Sequence, residues 1–131
     1  MASTTIADYQ VLRDGGFVID ANYGGSPNTR TFNFDVPPDF LFASGSRKPM
    51  ICFKVRPDQD SSFKIRMNHR EIASFKLDQS HTRGYWETFN ASQAFPEGAG
   101  FSDPTPVEFY ISSGKIVVSD VVLWYQIKRN G

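Results

Sequence analysis

Hydrophobic and polar residues alternate most cleanly between Phe63 and Leu77, F-K-I-R-M-N-H-R-E-I-A-S-F-K-L. Phe63, Ile65 and Met67 fall on one side of an extended segment and Lys64, Arg66 and Asn68 on the other, the two-residue period of a half-buried strand. Asn68-His69-Arg70 supplies a residue tolerant of positive φ where the chain reverses, and Phe75 and Leu77 resume the alternation. The stretch predicts a hairpin. Ile72 is out of phase with Phe75 and Leu77, which predicts a bulge near Ala73-Ser74.

The same reading extends along the chain. Tyr9 and Val11, then Phe17 to Ile19, flank Arg13-Asp14-Gly15-Gly16 and read as a short hairpin around a turn. Residues 22–31 are loop by composition, and Phe32, Phe34 and Val36 form a strand that Pro37-Pro38 must end, because proline donates no ladder hydrogen bond. Phe40-Leu41-Phe42 is an apolar turn, 44–48 a polar loop, and Met50 to Val55 a nearly continuous apolar strand closed by the turn Pro57 to Ser61. After the polar loop 78–84, Tyr85, Glu87 and Phe89 alternate with Trp86 and Thr88, so this strand carries aromatics on both faces. Ala91 to Pro106 is longer than most hairpin connections and predicts a functional loop or a crossover between sheets. Val107 to Ile111, a turn at Ser112-Ser113-Gly114 and a long strand from Lys115 to Lys128 complete the chain. About eight strands with no helix beyond a turn or two predict an all-β fold, a single antiparallel sandwich.

Composition narrows the function classes. The 131 residues fit one domain covering 1–131, with 1–8, small and polar at its start, as a loose N-terminal arm. Fourteen Lys and Arg balance fourteen Asp and Glu, so the basic footprint of a nucleic-acid partner is missing. Cys52 is the only cysteine, which rules out an intrachain disulfide and a zinc site built from several cysteines, and its apolar surroundings read as core. The N-terminus has no basic region leading into an apolar one, and no apolar run is long enough to span a bilayer. The expectation is a soluble protein without membrane contact, in a virion or the cytoplasm.

The closing run Gly114 to Ile127, G-K-I-V-V-S-D-V-V-L-W-Y-Q-I, resembles the last strand of galactose-binding-like jelly rolls, with glycine, alternating apolar residues and a small-Asp pair before a second apolar run. F-K-I-R-M-N-H is similar to that family's strand ending in an Asn-Gly-type turn, with His69 in place of the glycine. The resemblance covers the second half of the chain and implies a jelly-roll architecture. In that family ligands lie on loops at one end or on a concave sheet face, so no site residue transfers by motif.

Catalytic patterns are missing. His69 and His81 lie in polar turns without a ligand constellation around them, and there is no G-x-S-x-G elbow, phosphate loop or dinucleotide fingerprint. Glu71, Asp78 and Glu87 have the spacing of solvated strand faces and turns rather than of a glycosidase pair. Asp58-Gln59-Asp60 alternates oxygens as calcium turns do but lacks further carboxylates, and Asn90-Ala91-Ser92 matches a glycosylation acceptor by coincidence. No enzymatic activity, cofactor or metal is expected.

Two functions are consistent with these features. The first is a non-enzymatic subunit of a larger assembly, such as a virion decoration protein, whose partners are copies of itself or neighbouring subunits. The second is a lectin-like domain. In it Tyr85 and Trp86 point to opposite faces of their strand, so at least one lies outside the core as a platform for the apolar face of a sugar ring, and Asn68, His69, Arg70, Arg83 or Asp103 supply hydrogen bonds. Trp124 is expected to be covered by the protein's own loops. A lectin with one weak site per chain needs several copies for avidity, so both readings imply a multimer.

Overall fold

A computed structural model describes residues 3–22, 28–41, 49–78, 85–95 and 100–130. Eight strands run in chain order: β1 (Ser3–Asp20), β2 (Thr29–Phe34), β3 (Met50–Pro57), β4 (Ser61–Met67), β5 (Arg70–Leu77), β6 (Tyr85–Asn90), β7 (Thr105–Ser113) and β8 (Lys115–Asn130). They form two four-stranded sheets, sheet A in the order β1-β8-β3-β6 and sheet B in the order β2-β7-β4-β5, with every pairing antiparallel. Except at the β4–β5 hairpin, consecutive strands belong to opposite sheets, which is the jelly-roll arrangement. The long segment after β6 is accordingly a crossover, as its length predicts, and it carries a short 3-10 turn at Ser92–Ala94 and a cis Asp103-Pro104 bond. No helix among the described residues is long and apolar enough to cross a membrane.

Phenylalanine fills the space between the sheets. Phe53 contacts Phe63, Phe89 and Phe109, Phe17 lies against Phe32 and Phe109, and Phe63 meets Phe75 edge-on. Phe34, Phe40, Phe95 and Tyr125 form a second group that closes the end containing the β4–β5 turn. Such tilted and edge-on pairs contribute about 0.5–1.5 kcal/mol each beyond the area they bury.

Alternation is broken in four strands, and each break is a bulge. In β7, Ile111 and Ser113 pair with the consecutive residues Phe63 and Ser62, so Ser112 is the extra residue. In β5 the partner of Ile65 is Ala73 and that of Arg66 is Glu71, so Ile72 is the extra residue, one place before the predicted position. In β8, Ile116 and Val118 point inward, the Ser119-Asp120 step interrupts the ladder, and Val121, Leu123 and Tyr125 point inward beyond it. In β1 the expected turn at Arg13 to Gly16 is two register shifts within one continuous strand. Gly15 takes φ +85° there, and its N–H donates to Oδ1 of Asp120, which itself has φ +56°. The β1 and β8 bulges thus lie side by side, so the two strands bend together and stay paired.

Several other expectations are corrected. Residues 3–8, read as part of a loose arm, pair with β8 from Ser3↔Asn130 onward. Strand β2 begins at Thr29 and ends before Val36. Phe40 makes an isolated bridge to Ile127, while Phe42 and the 44–48 loop lie outside the described residues. Cys52 is half-buried between the inward-facing Ile51 and Phe53, so it faces outward and is not a core residue.

At the end opposite the β4–β5 turn, Gly114 joins β7 to β8 with φ +84°. A Cβ there would collide with Ser61 Oγ and the Asp60 carbonyl, because the Ser61 hydroxyl bonds across this junction to Lys115. Replacing Gly114 with alanine is expected to cost about 2–4 kcal/mol through backbone strain and steric overlap. Urea unfolding measures this, and an unchanged midpoint would show that the junction relaxes freely.

Candidate binding face on sheet A

The residues selected from the sequence do not converge. Asn68 and His69 occupy consecutive positive-φ positions, φ +56° and +63°, in a two-residue turn between Met67 and Arg70. This is the conformation that an Asn-Gly-like turn calls for, with histidine accepting the glycine's place. Asn68 is buried, however. Its Nδ2 donates to the carbonyls of Ala94 (2.7 Å) and Gly100 (3.1 Å), and its backbone N–H donates to Pro106 (3.0 Å). It anchors the crossover segment and is committed to the fold. Asp103 is likewise engaged, accepting from the Val36 N–H at 3.2 Å. His69 and Arg70 are exposed at the turn, while Arg83 and the side chain of Tyr85 lie outside the described residues. Trp86, 57% exposed, stands on the outer face of the other sheet, four residues up β6 from the end where that turn lies.

The outer faces of the two sheets differ sharply. On sheet B the outward rows read Thr31, Glu108, Arg66, Glu71 and Thr29, Tyr110, Lys64, Ser74, with a Lys64–Glu71 ion pair at 3.4 Å. On sheet A the register places Tyr9, Trp124, Met50 and Asn90 in one row and Val11, Val122, Cys52 and Thr88 in the next. Gly16, Ser119, Lys54 and Trp86 form the third row. Of the six large apolar side chains most exposed among the described residues, five (Tyr9, Val11, Met50, Trp86 and Trp124) are on this face.

Trp124 is 41% exposed, which overturns the expectation that loops cover it. Its ring lies 4.9 Å from that of Tyr9, tilted by 43°. Beside it is a shallow hollow of about 130 Å³ bounded by Ala7, Met50, Trp124, Tyr125 and Gln126. A second hollow of about 190 Å³ lies between Lys54, Arg56, Val117 and Ser119. From strand spacing and rise, Trp124 and Trp86 stand roughly 16 Å apart on the diagonal of the face.

A larger polar hollow, about 360 Å³, lies at the Gly114 end among Asp60, Ser61, Ser62, Lys76, Leu77, Asp78 and Ser113. Asp58 of the nearby turn is drawn into an ion pair with Arg56 at 3.6 Å.

Tyr9 and Trp124 were absent from the sequence-derived site. The available signal was the pairing of Leu123 and Tyr125 as alternate apolar positions, which leaves Trp124 facing out once the phase break at Ser119-Asp120 is recognised.

No protein-family model matches the chain, and no curated protein sequence matches it. Solved structures do resemble it. Dimeric latent PorU from Porphyromonas gingivalis matches at 14% identity and a TM-score of 0.51, over 98% of this chain and 13% of the PorU chain. The chain therefore spans only a small part of that protein. The CBM36-1 domain of a multidomain xylanase from the hindgut metagenome of Trinervitermes trinervoides matches at 7% identity and a TM-score of 0.47, over 91% of this chain and 96% of that domain. The C-terminal CBM6 of LamC, a laminarinase from Zobellia galactanivorans, matches at 12% identity and a TM-score of 0.42, over 84% of this chain and 98% of that module. At these identities the likeness is one of fold. The protein is a jelly-roll β-sandwich, the architecture that its resemblance to galactose-binding-like domains implies.

Beneath the aromatic pair, Tyr125 is buried and its hydroxyl is hydrogen bonded to Asp8, its partner across the β1–β8 ladder. Burial, then the Asp8 charge, then that hydrogen bond hold its pKa above the usual 10.0. Above pH 10 the unfolded chain has released this proton while the native state retains it. The stabilisation is therefore complete below pH 10 and declines as pH rises through the raised pKa. In an ultraviolet titration Tyr125 should ionise above pH 10, and Tyr125→Phe should remove that late step and flatten the alkaline loss of stability. A Tyr125→Phe titration that loses no step above pH 10 would contradict the assignment.

Proposed function

We propose that the domain is a non-catalytic carbohydrate-binding module whose ligand lies along the outer face of sheet A. The observation that supports this reading most is the position of both tryptophans, exposed on one face of one sheet and accompanied by Tyr9. An aromatic ring left in water on a rigid strand offers a flat apolar surface to the C–H face of a pyranose at little cost in conformational entropy. Two such platforms roughly 16 Å apart fit an oligosaccharide better than a single sugar. Gln126 and Asn90 flank the Trp124 end, and Lys54 and Ser119 flank Trp86, so hydrogen-bonding groups stand beside each platform.

The assembly-subunit reading draws on a different feature of the same face, its aliphatic centre of Val11, Val122, Cys52 and Met50, which has no donor for a sugar hydroxyl. A contiguous apolar area on a sheet face is a common mark of protein contact. Nothing in the fold singles out a virion as the setting.

A glycan array followed by calorimetry tests the proposal. A bound oligosaccharide should shift tryptophan emission, and Trp124→Ala and Trp86→Ala should each weaken binding by roughly five- to tenfold, the equivalent of about 1–1.4 kcal/mol. Tyr110→Ala on sheet B should leave affinity unchanged. An absence of binding across plant, algal, fungal and bacterial glycans would overturn the proposal.

A further inference from the structure

The rings of sheet A account for part of its outer face, and the aliphatic centre remains. Val11, Val122 and Cys52, with Thr88 at the edge, form the middle row, and Val18 and Val117 lie beyond the third row beside Arg56. We infer that in the absence of ligand two copies of this chain close that face against each other, so that self-association and glycan binding exclude one another. The inference shares the face with the glycan reading but rests on apolar area and shape, and it stands or falls by a separate measurement.

Size is the first argument. Three outward rows span all four strands, and the end rows Ala7–Gln126 and Val18–Val117–Arg56 hold two and three residues, within an outline of about 19 Å by 27 Å at standard strand spacings. That is a flat footprint of roughly 400–500 Å² before the relief of the side chains, more than half of the roughly 800 Å² per partner of a stable interface. Two apolar sheet faces pack at about 10 Å in the interior of every sandwich, and the same packing between molecules requires only a second copy.

Shape is the second argument. Consider a two-fold axis lying in the interface, perpendicular to the strands and crossing the middle row. It sets Val122 and Cys52 against their own counterparts and places the first row of each copy over the third row of the other. Tyr9 and Trp124 then fall opposite Gly16 and Ser119, and Trp86 falls opposite Asn90. Large side chains meet small ones, as an isologous contact requires. Lys54 falls opposite Met50, where its aliphatic stem can lie along the thioether while the ammonium reaches the rim. A rotation of about 30° between the sheets displaces the corners more than the centre, so the middle row is the most strongly specified contact.

Analytical ultracentrifugation of the full chain over micromolar to several hundred micromolar concentrations provides the test. The expected result is a concentration-dependent species of twice the 14.8 kDa chain mass. Val11→Lys on the edge strand and Val122→Lys on the central strand should each shift the dimer midpoint at least tenfold upward. Thr31→Lys on sheet B should not, and unchanged circular dichroism verifies folding of each variant. A short bismaleimide should join Cys52 to Cys52 in the wild type and fail to do so in Val11→Lys. Any oligosaccharide found to bind should return the protein to monomer. A monomer at every concentration, or a dimer indifferent to both lysine variants, overturns the inference while leaving glycan binding open. A dimer that persists at saturating glycan overturns the exclusion.

Discussion

An extra residue on one strand of a ladder reverses the facing of every side chain beyond it, and four strands of this domain carry such an insertion. In β8 the step at Ser119-Asp120 lets Ile116 and Val118 share the core with Leu123 and Tyr125. Without it, Val122 and Trp124 would point between the sheets and the core would lose Val121, Leu123 and Tyr125. Asp120 takes a positive φ to make the step, and its carboxylate accepts the N–H of Gly15 from the matching bulge in β1. Each irregularity supplies the partner that the other requires, and this pairing decides what sheet A shows to solvent.

The consequence is a sandwich with two unlike exteriors. Sheet B presents alternating charges and hydroxyls, which water solvates well. Sheet A presents tyrosine, tryptophan, valine and methionine across strands whose inner face is already full. The hydrophobic effect acts on this outer surface as it does on the core, and any flat partner that displaces its water is favoured. Specificity then depends on the ring positions and on the few polar groups at the margins, because the centre offers apolar contact alone.

Asn68 shows how a polar residue at a turn can be mistaken for a recognition group. By type and position it suits a loop that touches a ligand. Its side chain is directed inward, where the carbonyls of Ala94 and Gly100 would otherwise lack these donors, and so it binds the crossover to the hairpin. Asp103 performs a similar task at the start of β7, holding the chain that leaves β2. Both belong to the scaffold because the long connection between sheets has no ladder of its own and must be held by side chains.

Local pattern by itself determined much of this protein. The hairpin from Phe63 to Leu77, its positive-φ turn, the strand at Tyr85 to Phe89 and the all-β class all follow from a two-residue period and turn chemistry, which act between neighbours in the chain. The bulge in β5 was also visible, because its phase error lies within one short segment. What only the tertiary structure decided was how the phases of β1 and β8 change across their bulges, and with it the exposure of Trp124 and Tyr9. Whether Arg13 to Gly16 forms a turn or a bulge depends on Asp120, more than a hundred residues away in sequence. A phase set by a partner strand cannot be read from either strand alone.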